Sequence, residues 1–309
     1  MIRCKEAFGL VVFLCALGFV VGCGSLSRPV GGYDLRGSVP SVGRVVHSEL
    51  RFQLAEGNIL ITVGDQSIQG QVEMAGLQVK EDEVLLGGTV PRVEVRYLRD
   101  TLDIRRIFGG ETERDSEHGP LHGCTVIGQK TGNDWAFQLA KGRPDADQSA
   151  ALMELGGDYA PAIYPDRRLR IGESWEVDAA AMRRWLGHDL IRSEGRARLT
   201  FRGLGKFSGE RCAVIDVIID VVGELEDPDG NLLELGIGLE GTIHRSLESH
   251  LDLAGTMEGL MILEGELEQN GVTAVVKVTG PMKVISIDRL ASVGAAVSAA
   301  AVKFTKNNP

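Results

Sequence analysis

From Ala213 to Val221 every second residue is apolar, while Asp216 and Asp220 fall between them. A repeat of two sends successive side chains to opposite sides of an extended backbone, so this stretch reads as a strand with one apolar and one wetter face. The same alternation recurs in Leu50, Phe52 and Leu54, in Ile59, Ile61 and Val63, in Val93, Val95 and Tyr97, and in Trp135, Phe137 and Leu139. Half-buried antiparallel strands carry this pattern. Forty glycines in 309 residues, close to twice the usual ~7%, suit tight turns and bulges and predict many short strands. The stretch from Gly64 to Gly88 predicts further hairpins, and Asp227-Pro228-Asp229-Gly230-Asn231 supplies hairpin-loop chemistry. Strands are expected again through Leu232–Leu247, Ser249–Leu263, Gly271–Thr279 and Met282–Leu290.

Only the middle of the chain changes period. Asp145 to Tyr159 holds Ala150, Ala151, Leu152, Met153 and Leu155, with Asp147 or Ser149 as caps and Gly156-Gly157 as a stop. A second short helix fits Asp178 to Leu186, with Asp178 as its cap. The expected fold is therefore mainly β: a large curved antiparallel sheet or sheets, a β-sandwich or a half-barrel, with one or two short helices mid-chain. The β-rich domain covers 44–290, as one body or as halves 44–142 and 165–290 joined by the helical segment.

The first residues set the compartment. Arg3 and Lys5 precede an apolar run from Ala7 to Val21, then Gly22 and Cys23, the order of a secretory signal peptide. That run is too short to cross a hydrocarbon core of about 30 Å comfortably. Val20-Val21-Gly22-Cys23 looks like the lipobox of bacterial lipoproteins, which implies a leader of residues 1–22 and acylation of Cys23. Two acyl chains would anchor the chain stably to a membrane of the cell envelope. Residues 23–43, rich in Gly, Ser and Pro, read as a flexible tether, and 291–309 as an Ala-rich tail.

Acidic residues outnumber basic ones, 43 to 33, and aromatics make up 5%. With neither a basic footprint nor a stacking platform, nucleic acid is excluded as a partner. The same acidity argues against a polybasic patch drawing the domain onto anionic lipid. After processing, Cys124 and Cys212 remain, either as one disulfide in an oxidising compartment or as two packed thiols.

The residue types that could carry chemistry fall in turns more readily than in catalytic patterns. His118, His122 and Cys124 are zinc-ligand types within seven residues, but no fourth ligand is evident and an exposed turn accounts for them better. His244 and His250 are about 20 Å apart on a straight strand, and Asp216 and Asp220 about 13 Å, too far for a shared ion or a glycosidase pair. Asp227, Asp229 and Asn231 start like a calcium loop that lacks its glycine and final glutamate. The serine in Gly64-Asp-Gln-Ser67-Ile-Gln-Gly70 has the wrong spacing for a nucleophile elbow. No cofactor motif is present in the sequence.

Gly119-Pro120-Leu121-His122-Gly123 before a strand, Tyr164-Pro165, and Leu169-Arg170-Ile171-Gly172-Glu173-Ser174-Trp175 together resemble a broad group of exported, β-rich bacterial lipoproteins in which a proline precedes a V-x-V-G-[DE]-[ST]-W strand entry. The resemblance covers about half of the chain and implies a β-sheet domain; it carries no catalytic residues. Physically, Gly172 permits a tight turn, and Trp175 reads as a core anchor before a ligand-stacking ring. Trp135 has the same two readings. Two function classes follow: a non-catalytic envelope lipoprotein binding a hydrophobic or lipidic ligand or a protein partner, and, as the alternative, an envelope hydrolase with a dispersed site.

Overall fold

The computed structural model describes residues 31–36, 41–87, 90–132, 134–158, 163–178, 190–226, 230–269 and 272–291. The expected leader, Cys23, most of the tether, the second helix beyond Asp178, loop residues 227–229 and the tail past Ala291 lie outside them. Gly32–Pro309 forms one compact unit that contains the whole described core, which is the condition for folding by itself.

The chain forms β1 (Val45–Val63), β2 (Gln66–Leu86), β3 (Arg92–Phe108), β4 (Glu111–His118), β5 (Thr125–Thr131), β6 (Asp134–Leu139), α1 (Ala146–Asp158), β7 (Ser174–Asp178), β8 (Leu190–Phe207), β9 (Glu210–Glu226), β10 (Leu232–Ser246), β11 (Asp252–Gln269) and β12 (Val272–Leu290). All twelve strands belong to one open antiparallel sheet in the order β6-β5-β3-β2-β1-β12-β11-β10-β9-β8-β7, with β4 also on β3. The first and last strands pair at its centre. A mainly antiparallel, curved sheet was the expectation, and this is one.

Strand length departs from the expectation. The run from Gly64 to Gly88 is not a set of hairpins but the single 21-residue β2. Its glycines are there for aromatic rings. Gly76 lies directly across from Phe52, and Gly70 from Phe108; a Cβ at either would come within 2.5 Å of the ring. Gly128 faces Phe137 in the same way. A ring laid over a cross-strand glycine keeps the glycine inside the sheet.

Register puts the apolar alternations on one face. Leu54, Met282, Gly259, Leu239, Ile219 and Ala197 form a continuous row across β1, β12, β11, β10, β9 and β8. A bulge beginning after Leu54 at Glu56, whose φ is +53°, shifts β1 from even to odd positions and keeps Ile59 and Ile61 on that face. Nearly all of these side chains are buried in one cluster from β1 and β2 to β8–β12, to which α1 does not belong. Among the described residues, Tyr33, Leu35, Ile163, Tyr164 and Leu169 of segments 32–36 and 163–172 pack on this face of the open, curved sheet. The outer face carries cross-strand ion pairs such as Arg105–Glu73, Arg196–Glu176 and Lys277–Glu264, together with exposed apolar side chains such as Ile218, Val222 and Leu260.

α1 packs on the same inner face at the β6 corner, sending Leu152 and Leu155 against Val93, Val95 and Val126. Its cap is Asp145, not Asp147 or Ser149: Asp145 Oδ1 accepts the Gln148 amide at 2.8 Å, and the Gln148 side chain accepts the Asp145 amide at 3.2 Å. Gly156 does not stop the helix. It lets α1 approach β6, since a Cβ there would sit 2.6 Å from the Trp135 carbonyl oxygen.

Candidate functional site

The inner face has two ends of opposite character. At one end, where β1 and β11 begin and β10 finishes, Arg245 and Asp252 form a buried ion pair at 3.1 Å. The Tyr164 hydroxyl donates to the same carboxylate at 2.6 Å, and the guanidinium carbon lies 4.1 Å from the centre of the Tyr164 ring. Arg245 also donates from Nε to the Leu35 carbonyl at 2.9 Å and from Nη2 to that of Arg36 at 3.2 Å. Each of the three guanidinium nitrogens donates a hydrogen bond here.

These bonds hold a strap across the sheet. Tyr33 pairs with Leu169 through two backbone hydrogen bonds of 2.8 Å, and its ring meets Phe201 edge-on at 5.5 Å. Leu35 and Leu169 are fully buried. The tether expected to run to Gly43 is therefore interrupted by an ordered segment, because Tyr33 and Leu35 alternate toward the apolar face. Trp175 belongs to this closed end as a core residue: it is buried, and its indole N–H donates to the Ile163 carbonyl at 2.9 Å. Gly172, with φ +88°, makes the turn that delivers it. Nearby, Arg44 donates to the Ser249 carbonyl at 2.9 Å; burial, and then the charge of Arg245, push its pKa down.

At the other end the same face opens. Ile61, Val63, Ile68, Leu233, Leu267 and Val272 continue the inner rows toward the β1–β2, β9–β10 and β11–β12 turns. Exposure rises along them, from zero at Leu54 and Met257 to 40% at Val63, 50% at Val272 and 58% at Ile68. The result is an apolar surface continuous with the core and reachable from solvent. Sequence alternation assigned several of these residues to one face, but which end lacks cover among the described residues depends on where the strap lies.

The other sequence candidates are not assembled into a site. His118 and His122 approach, with ring centres 4.2 Å apart, yet Nδ1 of His122 lies 3.1 Å from the amide nitrogen and 3.0 Å from the carbonyl oxygen of Asp100, so the ring is engaged by backbone in either tautomer. Cys124 accepts from Gln148 at 3.7 Å. No group of three His, Cys, Asp or Glu among the described residues is placed to hold a metal ion. Cys124 and Cys212 are separate free thiols, and burial raises the pKa of Cys212. Trp135, half-buried, stacks on Phe137 at 5.9 Å beneath α1. Asp216 meets Arg202 on the outer face, Ser67 bonds Thr62, and His244 packs beside Phe207.

No protein-family model matches the chain, and no curated protein does. Among solved structures it is similar to lipovitellin, from a study of that protein's lipid–protein interactions, over 85% of this chain at 8% identity and a TM-score of 0.42. The chain spans 27% of the lipovitellin chain. It is also similar to the outer membrane protein OprG of Pseudomonas aeruginosa, over 84% of this chain and 100% of that one, at 8% identity and a TM-score of 0.19. Scores this low carry no argument about activity.

Proposed function

We propose that this chain is a lipid-anchored envelope protein, of the exported β-rich kind that its strand-entry motif resembles, and that it takes up a long-chain apolar ligand at the open end of its concave sheet face. The observation that carries the reading is the rise of exposure along the inner-face positions of single strands, as on β12 from Val284 at 0% through Val278 at 6% to Val272 at 50%. Water-exposed Ile68 and Val272 lie on the same face as fully buried Met257 and Leu54, so a ligand docking there extends an existing core.

The magnitude narrows the ligand class. Micromolar affinity requires about 8 kcal/mol, and a buried methylene supplies about 0.8 kcal/mol. Before ordering costs, about ten methylenes are needed, which is the length of an acyl chain. Cys23 supplies the anchor in this reading, and the ion-paired outer face stays in water.

Organic extraction of the purified Gly24–Pro309 unit, followed by mass spectrometry, tests the reading. A copurified fatty acid or lipid is expected at a near-stoichiometric ratio. Recovery of no lipid, together with hydrolysis of generic ester or peptide substrates by the same sample, would move the assignment to an envelope hydrolase.

A further inference from the structure

We propose that the loop Arg167–Ile171 binds the phosphate-bearing headgroups of an anionic membrane and so holds the closed end of the sheet against the lipid surface. The placement of that membrane rests on reading Cys23 as the lipidated residue.

Arg167, Arg168 and Arg170 are exposed and line one depression together with Glu173. The overall acidity argues against a basic membrane contact, but on this chain of net charge −10 three exposed arginines in four residues reverse the sign locally. Not all of that charge is neutralised. Glu173 pairs with Arg167 and accepts the Arg170 amide at 2.8 Å, which holds its carboxyl below the usual range. Asp166 is taken by Arg36 at 2.9 Å. Arg168 and Arg170 make no ion pair among the described residues, although the charge of Arg170 does act on Glu173. Glu173 thus braces the loop and leaves two guanidiniums turned to solvent, each a planar donor suited to phosphate. Beside them Ile171 is 47% exposed, an apolar tip among cations, as interfacial segments have.

Chain length brings this loop to the anchor. Gly32 lies directly against it: a Cβ there would be 3.3 Å from the Arg168 Cβ and 2.9 Å from the Leu169 carbonyl oxygen. From Cys23 to Gly32 there are nine steps, which extended span at most about 32 Å. A basic loop tied this closely to a lipidated residue meets headgroups before any other anion. Elsewhere the acidic surface is repelled, so the loop also fixes which side of the domain faces the membrane.

Flotation of the Gly24–Pro309 unit with vesicles tests the proposal without the anchor. Binding to phosphatidylcholine vesicles containing phosphatidylglycerol is expected, weakening as salt rises, with little binding to phosphatidylcholine alone. Each arginine near such a surface contributes about fivefold, so Arg168→Ala/Arg170→Ala should lower affinity about 25-fold with an unchanged far-UV spectrum. Arg167 and its partner Glu173 stay in place in that variant. Equal binding to both vesicle types, or full binding by the double variant, would overturn the proposal. Arginine-dependent binding of inorganic phosphate without vesicle flotation would overturn it too, because the site would then serve a free anion. Fatty-acid labelling of the full chain and of Cys23→Ala tests the anchor separately, so the two failures are distinguishable.

Discussion

The two ends of the concave face are built from the same strands and treat the same apolar surface differently. One is covered by a strap that a buried arginine holds by its backbone carbonyls; the other continues the rows of the core into solvent. Ile68 and Val272, 58% and 50% exposed, each forgo roughly half of the ~1.5–3 kcal/mol that full burial contributes. The closed end shows that this fold is able to cover such residues. In the proposed reading the closed end serves stability and the open end binding.

The largest effects are expected at the closed end. Trp175→Ala removes a buried indole and strands the Ile163 carbonyl, and should cost about 3–5 kcal/mol. Arg245→Ala takes the cation from buried Asp252 and releases the strap, for about 3 kcal/mol. Urea unfolding with equal slopes measures both. A change below about 1 kcal/mol for Trp175→Ala would break the comparison and return that residue to the ligand site.

A smaller effect follows from two histidines. Burial lowers the pKa of His244, aided by Arg202, and of His250, aided by Arg245 and Arg44 against Asp34. Both favour the neutral form when folded, so the unfolded chain binds protons first as pH falls below its ordinary value of about 6.5. Stability should decline from there toward the lower folded values, and His244→Asn/His250→Asn should flatten that slope in a pH series of urea melts. A slope that survives the double substitution would assign the decline to carboxylates.

What the sequence made legible was whatever its short period controls. Alternation placed Leu54, Val95, Ile215 and Trp175 on one apolar face, and all are buried there. The change of parity between Leu54 and Ile59 even marks the bulge. Glycine misled, because the stretch from Gly64 to Gly88, which holds Gly70 and Gly76, reads as hairpins until register shows the Phe rings over those two glycines. Asp145 was passed over as a cap although Gln148 stands at capping-box spacing. The strap was hidden for another reason. Arg245 and Leu35 are 210 residues apart, and only the pairing of β1 with β12 at the centre brings both to one end.

The open end, and not the packed interior, is the proposed ligand site. Titration of a fluorescent long-chain fatty acid into the Gly24–Pro309 unit, compared with Ile68→Asp/Val272→Asp, tests it most directly. Because both residues are already half-exposed, the variant should unfold within about 0.5 kcal/mol of the parent. The account predicts saturable binding by the parent and a loss of at least about tenfold in the variant. Undiminished binding by a variant that stays folded would place the ligand elsewhere and contradict the account.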